Sequence, residues 1–341
     1  MTVRRPPTII DVAARAGVSK SLVSMVMRDD PGVSDARRAA VLAAAADLGY
    51  RPNRAAAILA GSRTGTIGVV IDDFRNPWYI PMLDGIRDAL TPQGLRVTLV
   101  DSTANAHLRT SPFDDLVSLR VDGIVLAAES TTDLDIPPHT PVVVVGVRSS
   151  APTGVDRVAS DEAAGARLVV DHLTGLGHRR IAHLTGVGGS AAARRAAAVE
   201  RMVASGIDPV VVGTGATSED AGFELMRAAL DEHADLTAVF AANDVMAMGA
   251  IAAARAAGRR VPEDVSIVGY DETSLARSPL VDLTSVDPHN QRVGQLAAAR
   301  LLARTGSASP ASTPVAETVQ PDLVVRGSTT RRRRDSWTPT R

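Results

Sequence analysis

The residues near the N-terminus best placed to do chemistry are Lys20, Ser21, Ser24 and Met25. They fall on one side of the short run Ser19–Met27 when Val23 and Val26 face inward. An ammonium group, hydroxyls and a thioether on the surface of a short helix are the groups that read base edges in a DNA groove. No set for covalent chemistry accompanies them. Cysteine is absent, the seven histidines are scattered, and no Gly-x-Ser-x-Gly elbow, HExxH or Walker-A sequence occurs. The catalytic list is therefore empty, no metal site or cofactor is expected, and the chain is read as a binding protein. The loop Gly186-Val187-Gly188-Gly189-Ser190 follows a strand pattern and opens a helix. It lacks the full GxGxxG spacing and its acidic companion, so nucleotide binding is not inferred. The helix start can still donate N–H groups to a polar ligand.

The elements that must position Lys20 and its neighbours are short and well capped. Thr8 with Asp11 makes a Thr-x-x-Asp capping box, and Val12 and Ala16 share a face at i, i+4 spacing. Gly17 ends this helix, and Ser19 offers the next N-cap two residues later. Two short helices joined across Ala-Gly-Val-Ser form a helix-turn-helix, whose second helix enters the major groove. The alternative is a small three-helix bundle with no nucleic-acid partner. Ser34 caps a third helix that runs through Leu48 and is closed by Gly49. Arg51-Pro52-Asn53 then recaps a helical run, Arg54 to Ala60, of seven residues. That is too few for a stable isolated helix in water, so the segment should order only when held. Leu59 has no local core to enter, which leaves a dimer mate or a base step in the minor groove.

Charge is distributed unevenly. Residues 1–62 carry nine Lys/Arg against five Asp, and the last fourteen residues carry five Arg against one Asp, while the whole chain has a net charge of −1. A basic head on an acidic body suits a polyanion at one end and a different partner elsewhere; ordinary scatter is the alternative. At 341 residues and 45% hydrophobic the chain can bury more than one core. No apolar run of signal-peptide or membrane-span length is seen, so a cytoplasmic location without membrane association is expected.

The body alternates β-rich runs with helices. Strands are expected at Thr66–Ile71, Arg96–Val100, Gly123–Ala127 and Val142–Val145, then at Ile181–Leu184, Val210–Val212, Ala238–Ala241 and Val265–Gly269. Helices are expected at Glu162–Leu176, Ser190–Ala204, Glu219–Leu230 and Asp244–Ala257. Two such series mean two α/β lobes with parallel sheets covered by helices and a cleft at the strand C-termini.

The motifs TIIDVAARAGVS, VSDARRAAVLAAAADLGYRPN and RAAAILAGSRTGTIGVVI resemble the LacI/GalR family of bacterial transcription regulators. The likeness continues through DDFRNPWY, VDGIVLA, HLTGLGHRRIAHLTG, ANDVMAMGA and VPEDVSIVGYDE, covering roughly residues 8 to 327. It implies an all-α helix-turn-helix headpiece on a two-lobed α/β periplasmic-binding-protein-like core. Chain crossings between lobes are expected near Ser160, Val286 and Thr318. The resemblance places Lys20, Ser21 and Met25, with Leu22 and Ser24 beside them, at base-reading positions, and adds Thr8, Ser19, Asn53, Arg54, Ala56 and Leu59 to the DNA-binding set. The family often carries Thr at the Leu22 position and Arg at the Met25 position, so the operator should differ from its common half-site. The effector set carried over is Phe74, Trp78, Tyr79, Arg148, Arg195, Asn243 and Asp271. Arg194 is the alternative to Arg195, because the Gly and Phe of the family's Arg-x-x-Gly-Phe are missing. Thr217 stands where a sugar-contacting aromatic is common, and Asp287-Pro288 replaces Gln-Pro.

The expected division is a DNA-binding domain over 1–52, a hinge helix over 53–62, a core over 63–327 and a disordered basic tail over 328–341. Within the core, the N-lobe takes 63–159 and 287–317, and the C-lobe takes 160–286 and 318–327. The expected function is a homodimeric repressor that reads a pseudo-palindromic operator under control of a carbohydrate-like effector. The rival is a periplasmic-type solute-binding protein without DNA function.

Overall fold

The computed structural model describes residues 5, 7–27, 30–51, 64–104, 106–108, 110–129, 134–305 and 313–332, and the chain divides into two compact units between Thr64 and Gly65. The expected hinge, with Asn53, Arg54, Ala56 and Leu59, lies outside the described residues.

The first unit is three helices: α1 Ile9–Ala16, α2 Lys20–Met27 and α3 Asp35–Leu48. The capping box of α1 is formed in both directions between Thr8 and Asp11, and Gly17 ends the helix in the left-handed conformation. Ser19 Oγ accepts from Leu22 N at 3.2 Å, which starts α2 two residues later. Ser34 precedes α3 with extended backbone but makes no side-chain cap, while Gly49 closes it at φ 63°. Val12, Ala13, Val23, Val26, Val33, Val41, Ala44 and Ala45 make the small core.

The second unit holds two six-stranded sheets. The N-lobe sheet has the order β11-β5-β4-β3-β1-β2, from β1 Thr66–Ile71, β2 Arg96–Asp101, β3 Gly123–Ala127, β4 Val142–Val145, β5 Asp156–Ser160 and β11 Ala316–Val319. The C-lobe sheet has the order β12-β10-β9-β8-β6-β7, from β6 Ile181–Leu184, β7 Val210–Val212, β8 Ala238–Ala241, β9 Ser266–Tyr270, β10 Thr284–Asp287 and β12 Asp322–Val324. Central strands such as β3 and β4 are buried along their whole length, as expected for parallel strands covered on both faces. On the N-lobe sheet, α4 Tyr79–Leu90 and α10 Asn290–Thr305 pack over Ile67, Val69, Val125 and Val143, while α5 Pro112–Ser118 sends Phe113 and Leu116 into the core of the other face. In the C-lobe, α6 Glu162–Gly175 and α7 Gly189–Ala204 share one core with Phe240 and Tyr270, and α8 Glu219–Glu232 and α9 Asp244–Ala256 share another with Val239 and Ile267.

Glycine lets two of these helix pairs touch backbone to backbone. A Cβ on Gly85 of α4 would run into the Gln291 carbonyl of α10, and one on Gly294 of α10 into the Met82 carbonyl of α4. Gly222 and Gly249 stand in the same reciprocal relation between α8 and α9.

The chain leaves the N-lobe sheet after Ser160, returns to that lobe after Asp287, and passes to the C-lobe again after Val319. Residues 328–332, expected in a disordered tail, are instead fastened to the C-lobe. Ser328 is buried, its Oγ donates to Ile267 O at 2.6 Å, and Arg332 N donates to Leu176 O at 3.0 Å. These bonds extend the edge of the C-lobe, so the arginine run begins on packed backbone.

Candidate nucleic-acid interface and inter-lobe cleft

In the headpiece, α2 buries Val23 and Val26 and leaves Lys20 and Ser21 exposed. Ser24 is half-buried, and Leu22 and Met25 are half-buried against the headpiece core. The outward face of α2 is therefore led by Lys20 and Ser21, with the two apolar residues at its margin. Thr8 and Ser19 spend their hydroxyls on capping: Thr8 Oγ1 donates to Asp11 Oδ2 at 2.7 Å, and Ser19 Oγ accepts from Leu22 N. Both sit at helix starts, where free backbone N–H groups suit a phosphate.

The second site is a cavity of about 600 Å³ between the lobes. Its walls come from segments that follow strand ends. Asp72, Asp73, Arg75, Asn76, Trp78 and Tyr79 follow β1, Glu129 follows β3, Arg148 follows β4, Val187, Ser190 and Arg194 follow β6, Asn243 follows β8 and Asp271 follows β9. Ligand sites in open α/β sheets lie at the carboxyl ends of strands, and this size is that of a small-molecule pocket.

Trp78 provides the apolar wall. Its ring meets Tyr79 edge-on at 4.9 Å, and the Arg148 guanidinium lies 5.6 Å from its centroid. Tyr79 is buried, and its hydroxyl donates to Ala127 O at 3.1 Å and lies 3.2 Å from Asp72 Oδ2. Burial raises the Tyr79 phenol and the Asp72 carboxyl above their ordinary ranges, and Arg148, 3.4 Å from Asp72, opposes both shifts. Opposite, Asn243 caps α9, accepting from Met246 N at 2.8 Å and donating to Thr217 O at 3.2 Å.

The deepest group is Arg194. Its Nε donates to Glu162 at 2.7 Å, its NH1 to Ala242 O at 2.6 Å and its NH2 to Asp271 at 3.1 Å, and the guanidinium stacks 3.5 Å from the Tyr270 ring centroid. Burial disfavours the charge on Arg194, but Glu162 and Asp271 outweigh it. One guanidinium cannot compensate both carboxylates. Burial, with Asp244 and Glu162 adding repulsion, holds the Asp271 carboxyl well above the usual range, and the nearby Arg194 opposes the shift. Burial also pushes Asp244 up to about 6, although Ser285 and Thr273 donate hydrogen bonds to it.

Trp78, Tyr79, Arg148, Asn243 and Asp271 of the expected effector set line this cavity together. Two do not. Phe74 is 64% exposed and absent from the walls, and its N–H donates to Asp101 Oδ2 at 2.6 Å. Arg194 lines the cavity where Arg195 was expected: α7 buries Ala191, Arg194, Ala197 and Ala198 on one face and leaves Arg195 about 100° away, half-buried. Asp72, Glu129 and Glu162 were missed. Only Asp72, an acid directly after a strand, carried a local signal. Among the described residues no group of acidic and histidine side chains is arranged to hold a metal, and no helix is long and apolar enough to cross a membrane.

The profile of bacterial regulatory proteins of the lacI family matches residues 8–53, and that of the periplasmic binding protein-like domain matches residues 170–329. The HTH-type transcriptional regulator CelR of Thermobifida fusca is 35% identical over 341 residues, covering 95% of this chain and 99% of CelR. The chain belongs to the LacI family. Two solved structures place that membership in three dimensions. A complex of CelR with cellobiose superposes with a TM-score of 0.66 at 32% identity, over 94% of this chain and 99% of that one. The lac repressor dimer bound to operator and the anti-inducer ONPF gives 0.79 at 30% identity, over 96% and 100%. As a LacI-family member the chain is a DNA-binding transcription regulator and not an enzyme. The match over 8–53 also rules out the solute-binding alternative, since it supplies the DNA-binding half that such a protein lacks.

Proposed function

We propose that this regulator is a repressor that works as a homodimer in the cytoplasm, on a pseudo-palindromic operator, and that a carbohydrate in the inter-lobe cleft sets its affinity for DNA. The observation that carries the reading is the pairing of walls in the cavity: the Trp78 ring on one side, and Asn243, Asp271 and Arg194 converging from the other. An aromatic face opposed by amide, carboxylate and guanidinium groups suits a sugar ring, with its apolar C–H face and its vicinal hydroxyls. The cellobiose complex of CelR and the operator-bound lac repressor dimer support the same reading by analogy. Lys20 and Ser21 are assigned to base edges, with Met25, Leu22 and Ser24 beside them, and Thr8 and Ser19 to the phosphate backbone. Asn53, Arg54, Ala56 and Leu59 are assigned to the hinge that carries the cleft's state to the reader.

The test begins with Trp78 fluorescence and thermal shift against cellobiose and a panel of neutral mono- and disaccharides. Any hit is repeated on an operator fragment selected in vitro. The expected result is saturable binding that changes operator affinity by about 5–150-fold, the usual range of allosteric coupling. Asp271→Ala should lose that response at sugar concentrations that saturate wild type, through weakened sugar binding, and keep operator binding. Sugar affinity unchanged in Asp271→Ala, or a panel with no hit, removes the carbohydrate reading.

A further inference from the structure

Helix α7 begins at Gly188, a cap residue without a side chain that makes no side-chain cap of its own, at φ 101°. The missing cap is supplied from the other lobe. Glu129, just past the end of β3, places Oε1 2.8 Å from Gly189 N, so the first N–H of a C-lobe helix donates to an N-lobe carboxylate. The other oxygen, Oε2, accepts from Ser149 N at 2.7 Å, and Glu129 N donates to Asp72 Oδ1 at 2.8 Å. Ser190 Oγ donates to Val147 O at 3.2 Å beside it, a second bond across the same seam. The fit depends on glycine. A Cβ on Gly189 would meet Val147 O, Arg148 C and Ser149 N at 2.5–2.6 Å, and one on Gly188 would sit 3.4 Å from Glu129 Oε1. The glycine loop singled out in the sequence therefore has an occupant, and that occupant is an anion.

The rest of the cleft agrees in charge. Arg75 is paired with Asp73, Arg148 with Asp72, and Arg194 with Glu162 and Asp271. Four carboxylates line the cavity against three guanidiniums. A phosphate or carboxylate on a ligand would find the helix start filled and each of these cations already paired.

We propose that Glu129 is a specificity-determining residue. Its carboxylate clasps the lobes at the start of α7 and reserves that start against anionic ligands, so the cleft takes neutral polyhydroxyl effectors and rejects phosphorylated ones. This deepens the carbohydrate reading of the cleft and rests on it. An internal carboxylate at a helix N-terminus makes the same charge-assisted bonds that a ligand phosphate would make. Removing it uncovers the start of α7 and releases the Gly189 and Ser149 N–H groups that it holds.

The experiment uses the full chain with inorganic phosphate as probe. Wild-type protein should show no phosphate-dependent change in melting temperature beyond that given by an equal ionic strength of chloride. Glu129→Ala should gain a saturable upward shift of about 3 °C or more at millimolar phosphate, from ligand binding to the native state alone. Glu129→Gln, which keeps the size but loses the charge, should gain part of it. Hydrogen exchange over residues 186–195 should be faster in Glu129→Ala without phosphate and slower again with it. A phosphate shift in wild type equal to that in Glu129→Ala would overturn the proposal, and so would unchanged exchange with no gain in Glu129→Ala. The saccharide panel is independent of these readouts. A panel without hits would defeat the carbohydrate reading, even where phosphate binding by Glu129→Ala upholds the seat.

Discussion

Arg194 gives the sharpest prediction, because its charge is buried beside two carboxylates whose fates differ once it is gone. Arg194→Met keeps an unbranched apolar stem under Tyr270 and deletes the guanidinium, leaving Glu162 and Asp271, both about 5% exposed, without their cation. Removing one partner of a buried ion pair costs about 3–5 kcal/mol, mostly from the charge left behind. The loss must depend on pH. With the cation gone, the Asp271 carboxyl, already raised by burial, loses the neighbour that opposed that shift, so its folded-state pKa lies still further above its unfolded one. Its contribution is then present below the ordinary carboxyl pKa and lost as pH rises, by up to about 1.4 kcal/mol per pH unit. In wild type the same sign holds more weakly through the raised Asp271. Urea unfolding followed by far-UV circular dichroism should thus show a deficit of about 3–5 kcal/mol at pH 8 that shrinks markedly by pH 5.5. Arg195→Met, one residue on and half-buried, should stay within about 0.5 kcal/mol of wild type. A deficit below about 1 kcal/mol at pH 8, or one equal at both pH values, would refute this account of the cluster.

Three further outcomes bear on the reader and on the frame. Lys20→Ala should relax base preference at one half-site position by about 1–3 kcal/mol, measured by competition among operator variants, whereas a uniform loss over all sequences would make Lys20 a phosphate contact. Leu59→Ala should lose most specific operator binding while the core still melts as in wild type; unchanged affinity would end the wedge assignment. Gly85→Ala should lower the melting temperature by about 2–10 °C, since forcing a methyl group against the Gln291 backbone costs about 1–3 kcal/mol and outweighs the gain in helix propensity. A rise in melting temperature would show that α4 and α10 part without cost.

What could be read from the sequence follows from how local each signal is. Strands such as Thr66–Ile71 and Val142–Val145 are continuous apolar runs between polar loops, and they stand in the structure at the expected residues. β5, with Asp156 and Arg157, and β11, with exposed Ala316 and Thr318, have no such contrast, and the sequence reading gave neither strand a range. The two-lobed core follows from the alternation of elements. The site is harder. Arg194 and Arg195 sit in Ala-Ala-Ala-Arg-Arg-Ala-Ala-Ala, where small residues on every side leave no apolar period to set the phase. Arg194 is fixed by Glu162 and Asp271, 32 and 77 residues away, and Glu129 by Gly189, 60 residues away. No local pattern encodes pairs at that separation.

Those long-range bonds also say which half of the cleft is fixed. Asp271 and Glu272 follow β9 with φ values of 100° and 49°, both in the region that favours glycine, at a cost of about 1–3 kcal/mol each. Asp271 N donates to Val286 O, Glu272 N to Ser285 Oγ and Thr273 N to Asp244 Oδ2, while Arg326 pairs with the Glu272 carboxylate. The strain is thus held mainly by bonds within the C-lobe, to which Asn290 Nδ2 at the start of α10 adds one to Asp271 O at 3.5 Å. A ligand shifts an equilibrium only through affinity that differs between its two states, and a wall that is the same in both contributes none. Contacts that exist only when the lobes meet supply such a difference, among them Glu129 to Gly189, Ser190 to Val147 and Asn290 to Asp271 O. His289, after the second crossing, lies 2.9 Å from Asp322, after the third, so these two crossings are tied to each other. On this argument Asp271 sets how tightly a sugar is held, and Glu129 sets how much its arrival changes the protein. Asp271→Asn should therefore weaken binding with the coupling ratio retained, while Glu129→Gln should lower the ratio between operator affinities with and without sugar.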